Sequence, residues 1–165
     1  TSGVILIAKN RQILRVLHTG IRMHSIEKKY TALCHGTPPE RDGIIDVSLK
    51  RTYLKNSGTK MKICTQGKKT LSSYRVLDSK NNLSQLEINL HTGKTHQIRV
   101  HLSHIGCPII GDVRYGSSEL DIELFRKSGW RHRLYLHADQ ISFFYKEMNK
   151  KVTFFAPLPE SFTLK

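Results

Sequence analysis

The side chains with most chemistry in them fall in one run, His91-Thr92-Gly93-Lys94-Thr95-His96-Gln97-Ile98-Arg99-Val100-His101-Leu102-Ser103-His104, followed by Gly106, Pro108, Gly111-Asp112 and Tyr115-Gly116. On a helical wheel Arg99 sits to the side of the face made by Ile98, Leu102 and Ile105, so its stem can lie against a core while its guanidinium reaches a cleft edge. A planar fork held there is suited to a carboxylate or a phosphate, to which it donates two parallel hydrogen bonds. The same placement would serve a structural ion pair, and only the neighbouring residues tilt the balance. Lys94, in a glycine turn at the helix start, adds a cation and backbone amides fit for a phosphate. The histidines do not spell a metal site, since the i,i+4 pair of a zinc-binding helix is missing and His101 with His104 gives two ligands only. The Gly93-Lys94-Thr95 triplet lacks the long glycine-rich approach of a nucleotide-binding loop, so no nucleoside triphosphate is implied.

These side chains need a frame. Thr95 is placed to cap a helix running to Ile105, with Gly106 as a left-handed stop and Pro108 preventing continuation. Gly3 to Lys9 reads as a buried strand, and Asn10 stands where an N-cap opens a second helix. In that helix Ile13, Leu14, Leu17 and Ile21 form a stripe expected to lie on a sheet, leaving Arg11, Arg15, His18 and Arg22 wet. Lys29–His35, Ile44–Lys50, Leu71–Leu77, the alternating Leu86–Leu90, Arg133–Tyr145 and Val152–Phe155 read as strands. Strands outnumber helices and their connections are of hairpin length. The expected class is α+β, a mainly antiparallel sheet flanked by helices.

With 165 residues, 38% of them hydrophobic, the chain can bury one sizeable core, so a single domain over 1–165 is expected. Lys and Arg number 27 against 13 Asp and Glu, a net charge of +14, which calls for a polyanionic partner. Nucleic acid is preferred to a membrane surface, because the cations are spread along the chain rather than gathered on one amphipathic helix. Lys9, Arg11, Arg15, Arg22, Lys50, Arg51, Lys55, Lys60, Lys62, Lys68 and Lys69 are candidates for a sequence-independent phosphate grip. Three separated cysteines, Cys34, Cys64 and Cys107, fit neither a disulfide framework nor a zinc knuckle and suit a reducing cytoplasm. No run reaches the apolar length of a membrane span.

The motifs together resemble the RluA-type pseudouridine synthases, in the branch that acts on large-subunit ribosomal RNA. Thr1-Ser2-Gly3 and the apolar run after it resemble the second half of a signature that opens His-Arg-Leu-Asp. Lys28-Lys29-Tyr30 through Gly36 resembles the family's lysine-x-tyrosine strand. Thr92-Gly93-Lys94-Thr95-His96-Gln97-Ile98-Arg99 matches its central block, with Lys94 in place of an arginine. Arg133-Leu134-Tyr135-Leu136-His137-Ala138 and Ala156-Pro157-Leu158-Pro159 resemble its closing segments, and the acidic insert Ser117–Gly129 that of the ribosomal branch.

The resemblance implies isomerisation of uridine to pseudouridine in structured RNA, 23S ribosomal RNA by preference, without metal or organic cofactor, by a cytoplasmic bacterial enzyme that is a monomer. It casts Tyr30 and Arg99 as catalytic, and Lys94, His96, Gln97 and Leu136 as substrate-binding. Arg99 would hold the nucleophilic aspartate ionised and oriented, Tyr30 would stack on the flipped base, and Leu136 would wall the pocket. The aspartate itself would lie three residues before Thr1, so the expected reading is a catalytic domain that is incomplete at its N-terminus. The alternative is a fragment or paralogue that binds RNA without modifying it.

Overall fold

The structure, a computed structural model, describes residues 1–54, 58–145 and 149–164; Lys55 of the candidate phosphate grip lies outside them. In chain order the elements are β1 (Ser2–Gly3), α1 (Arg11–Arg22), β2 (Glu27–His35), β3 (Asp42–Leu54), β4 (Gly58–Ile63), β5 (Lys68–Lys80), β6 (Leu83–Leu90), α2 (Gln97–His104), α3 (Ser118–Ser128), β7 (Leu136–Tyr145) and β8 (Lys150–Phe155), then a short 3-10 turn at Glu160–Phe162. The strands make one eight-stranded sheet in the order β1-β7-β2-β6-β5-β3-β4, with β8 also on β7. Every pairing is antiparallel except β1 with β7. The expected α+β class is what the chain adopts.

Alternation decides which face of the sheet is covered. In β5 Thr70, Ser72 and Tyr74 are buried, in β6 Ser84, Leu86 and Ile88, and the residues between them are half-buried. Helix α2 lies across this face: Ile98 and Leu102 join Leu86, Ile88, Ile45 and Tyr74 in the core, and Val100 packs with Leu49 and Met61. Each large apolar side chain so buried contributes roughly 1.5–3 kcal/mol. Cross-strand register puts Tyr30 opposite Ile88 and Ala138, and Ala32 opposite Leu86 and Leu136, so Tyr30 and Leu136 belong to the face that carries α2.

Two glycines fix where the central motif meets β7. At Gly3, with φ of +106°, a Cβ would stand 2.2 Å from the Ala138 carbonyl oxygen; at Gly111, with φ of +74°, one would stand 1.8 Å from that of Arg133. The segment between β2 and residues 133–135 is sewn in by backbone bonds, Ile110 N–H to Leu33 O (2.9 Å) and Tyr135 N–H to Ile110 O (3.0 Å).

Three sequence expectations need correction. The run after Gly3 is not a buried strand: pairing covers Ser2 and Gly3, and Ile5 and Ile7 are 78% and 77% exposed. Helix α1 forms where expected, with Asn10 Oδ1 accepting from Ile13 N–H at 2.9 Å, but none of its residues is buried and it does not pack on the sheet. Periodicity tells which side of a helix is apolar, not what meets it. Thr95 is not the cap of α2: His96 holds that position in the left-handed region, φ 54°, and its side chain makes no capping bond. The Gln97 amide ties the loop instead. The stop at Gly106, φ +75°, is as expected, with Cys107 N–H returning to Leu102 O.

Buried His101 gives this face a pH dependence. Thr70 donates its hydroxyl proton to Val47 O, so His101 Nε2–H must donate to Thr70 Oγ1 (2.8 Å), and Nδ1 is left buried with no partner among the described residues. Burial first, then His104, pushes the imidazole down to about 4. A depressed folded-state value means full stability above the unfolded value near 6.5, lost as pH falls from there toward 4. The loss due to His101 should approach about 3 kcal/mol. Urea denaturation between pH 7 and 4 should show that slope and show it flattened in His101→Gln; equal slopes would remove His101 as the cause.

Candidate active site

Arg99 is the third residue of α2, and at that phase it projects beside the sheet rather than onto it. There it meets Asp112. Nε donates to Oδ2 at 2.7 Å and Nη2 to Oδ1 at 2.6 Å, a two-point contact in which the Asp112 side chain is wholly buried and that of Arg99 17% exposed. Oδ1 also accepts from the backbone N–H of Arg114 (2.9 Å) and Tyr115 (3.0 Å), the turn an aspartate makes with its own following residues. Burial alone would raise the Asp112 carboxyl; the Arg99 fork and the two amides outweigh it and hold the carboxyl below the ordinary range. Nη1 of Arg99 has no hydrogen-bond partner among the described residues.

Tyr115 braces the arginine. Its ring lies under the guanidinium at 5.0 Å and under Lys60 Nζ at 5.5 Å. Its hydroxyl accepts from Met61 N–H at 2.9 Å and lies 3.0 Å from His96 Nδ1. Burial, Arg99 and Arg114 lower the His96 imidazole, which is therefore neutral near pH 7.

The start of β7 forms the other side. Ser2 Oγ lies 2.9 Å from His137 Nδ1 and accepts from Arg133 Nη2 at 2.8 Å, so the Thr-Ser-Gly and Leu-His-Ala motifs are partners in space. Thr1 lies close enough to Arg133 and Arg99 to feel both charges. Lys29 pairs with Gln140 but Tyr30 with Ala138, a bulge that leaves Asp139 extra and sits at Tyr30 itself. Thr31 Oγ1–H pins the bulge by donating to Asp139 Oδ2 at 2.7 Å. Burial raises the Tyr30 phenol, which keeps its proton at neutral pH.

The remaining site candidates separate. Gln97 is 2% exposed and spends its amide on the fold: Oε1 accepts from Thr92 Oγ1 (2.8 Å) and Lys94 N–H (3.1 Å), and Nε2 donates to Leu71 O and Ser72 Oγ. Leu136 is 4% exposed, within the core that also holds Ala32 and Leu86. Lys94 is exposed and faces a cleft on the β3–β4 side. Asp112 and Tyr115 were legible as residue types in the central run, but no role attached to them, because a carboxylate thirteen positions away in a loop has no periodic relation to a helical arginine. Removing one partner of a buried pair strands the other charge, so Asp112→Ala should cost about 3–5 kcal/mol in chemical denaturation. A loss below about 1 kcal/mol would show that the pair does not hold this joint.

With that geometry in view, comparison with known proteins is specific. A family model described as RNA pseudouridylate synthase matches residues 1–104. The chain is 39% identical over 158 residues to the ribosomal large subunit pseudouridine synthase C of Buchnera aphidicola subsp. Baizongia pistaciae, covering 96% of this chain and 50% of that protein. To the synthase of the same name from Yersinia pestis it is 34% identical, over 96% of this chain and 49% of that one. The chain thus spans about half the length of the curated relatives it matches. The solved structure of human RNA pseudouridylate synthase domain containing 1 shares the fold, with a TM-score of 0.72 at 24% identity over 92% of this chain and 62% of that one. The family model covers more than half of the chain, and relatives at 34–39% identity match over 96% of it: the chain belongs to the RNA pseudouridylate synthase family.

Proposed function

We propose that this chain is the core of an enzyme that isomerises uridine to pseudouridine in RNA, with large-subunit ribosomal RNA in the cytoplasm as its substrate. The observation that carries the reading is the Arg99 fork, fixed by Asp112 along one edge and without a hydrogen-bond partner at Nη1 among the described residues. Asp112 is not the nucleophile in this reading, since its side chain is wholly buried under four donated hydrogen bonds. The nucleophile is an aspartate three residues N-terminal to Thr1, as the family signature implies.

In that scheme the target nucleotide leaves its stack, at a cost of roughly a few kcal/mol that contacts elsewhere offset. The aspartate attacks the sugar C1′ as the N-glycosidic bond breaks; the uracil turns, C5 bonds to C1′ and displaces the aspartate carboxylate, and as C5 loses its proton N1 takes one up. The free side of the Arg99 fork donates to the aspartate and orients it; because Asp112 already cancels much of the guanidinium charge, orientation outweighs any shift of the aspartate's acidity. Tyr30, protonated at neutral pH, stacks on the flipped base and offers a hydroxyl to the reacting carbons. Leu136 contributes the apolar floor.

Tritium release from RNA carrying C5-labelled uridine tests the assignment in the protein with its native upstream residues. Arg99→Ala should lower turnover by about a hundred- to a thousandfold. RNA affinity should change little, since phosphate contacts are spread over many cations. Near-normal turnover in the variant would overturn the role of Arg99, and RNA binding without tritium release by the parent protein would make the chain a binder rather than a synthase.

A further inference from the structure

The β3–β4 hairpin reaches past α2, and the face it turns toward the helix start is unusually cationic. At its base Leu49 and Met61 pack on Val100. Further out, Arg51 and Tyr53 follow Leu49 on the same face, and Arg51 stands opposite Met61. Lys68 of β5 stands opposite Leu49 on the other flank. Across the gap is Lys94, whose loop is held rigid by the buried Gln97 amide. The cleft so enclosed has a volume of about 470 Å³ and carries Lys50, Arg51, Lys68 and Lys94 on its walls, with no carboxylate among its lining residues.

Some cations elsewhere are paired, Lys29 with Glu87, Arg75 with Asp42, Lys127 with Glu123 and Lys151 with Glu27, while Arg11, Arg15 and Arg22 of α1 have no ion pair among the described residues. Among the described residues, none of the four cleft cations has an ion pair or a side-chain hydrogen bond. Four unpaired cations around one cleft repel each other, and an anion relieves the repulsion. Tyr53, two residues beyond Arg51 on the same face of β3 and outside the cleft lining, is 77% exposed. A single-stranded nucleic acid needs this combination, cations for the backbone and a ring for an unstacked base.

Resting on the synthase reading for the identity of the polyanion, we propose that this cleft is a second RNA contact, separate from the Arg99 site, which seats a backbone phosphate of an unpaired strand between Arg51, Lys68 and Lys94 while Tyr53 stacks on an adjacent base. The three side chains to be changed are exposed, so their removal leaves the core intact.

The test uses the full-length protein, a ribosomal RNA stem-loop with an unpaired flank, and the same stem without it. In Arg51→Ala/Lys68→Ala the slope of log affinity against log salt should become shallower by about 1.4, two single-strand phosphate contacts at about 0.7 each. KM should rise about tenfold or more with kcat nearly unchanged, and the flank should lose its advantage. Tyr53→Ala should weaken binding about tenfold and Tyr53→Phe should restore it, because stacking needs the ring and not the hydroxyl. Unchanged slope and KM in an active enzyme would overturn the cleft while leaving the synthase reading standing. A shallower slope in a protein that never releases tritium would support the cleft and sink the synthase reading.

Discussion

Everything near the candidate site is arranged around the Arg99–Asp112 pair. A guanidinium held along one edge by a wholly buried carboxylate cannot be supplied by a flexible surface side chain, because both partners must leave water and the geometry must compensate them. That demand propagates outward. Asp112 must follow a glycine that lies against the Arg133 backbone, Ile110 must be stitched between Leu33 and Tyr135, and α2 must sit at a fixed height on the sheet. The height is set by polar contacts as much as by apolar ones, with Gln97 bonded to Ser72 and His101 to Thr70 at 3.0 and 2.8 Å. These two side chains specify register where hydrophobic burial alone would permit a slide.

Charge is distributed with the same division of labour. The carboxylates Glu27, Asp42, Glu87 and Glu123 each pair with one cation away from the cleft, whereas the cleft cations Lys50, Arg51, Lys68 and Lys94 have no ion pair among the described residues. Buried acids serve geometry instead. Asp121 accepts from His35 Nε2 at 2.8 Å and from Gly111 N–H at 2.9 Å, which ties α3 to the end of β2 and to the glycine before Asp112. The acidic insert, read in the sequence as a mark of lineage, therefore also supports the site.

Six strands of the sheet, its antiparallel character and the glycine stop of α2 were legible because each rests on local pattern, alternation or a residue that tolerates positive φ, whereas β4 was not read as a strand. The errors fall where a local signal has a tertiary answer. The stripe of α1 is present, yet no described element buries it; Thr95 has the chemistry of a cap, yet the neighbouring Gln97 amide takes the loop's hydrogen bonds. The helical phase of Arg99 beside the core face was legible, while the catalytic role proposed for it came only from the family resemblance. Its partner was not legible, since Asp112 lies in the irregular segment after α2, whose path back to the helix follows no periodic pattern.

Tyr115 draws these threads together. It belongs to the turn that presents Asp112, its ring supports Arg99, and its hydroxyl accepts from Met61 N–H on the outer edge of β4, while Arg114 Nη1 donates to Thr59 O on the same edge. An exposed sheet edge is a liability that proteins cover, and here the cover is the loop that positions the arginine. The hairpin and the guanidinium thus share one mechanical frame: a displacement of β4 must stretch the Met61–Tyr115 bond or move the ring beneath Arg99. Because Asp112 already balances the guanidinium charge, such a movement would act on the direction of the free N–H rather than on the local potential. Direction is the sensitive quantity, since a hydrogen bond weakens steeply as its angle closes, whereas a Coulomb interaction falls only slowly with distance.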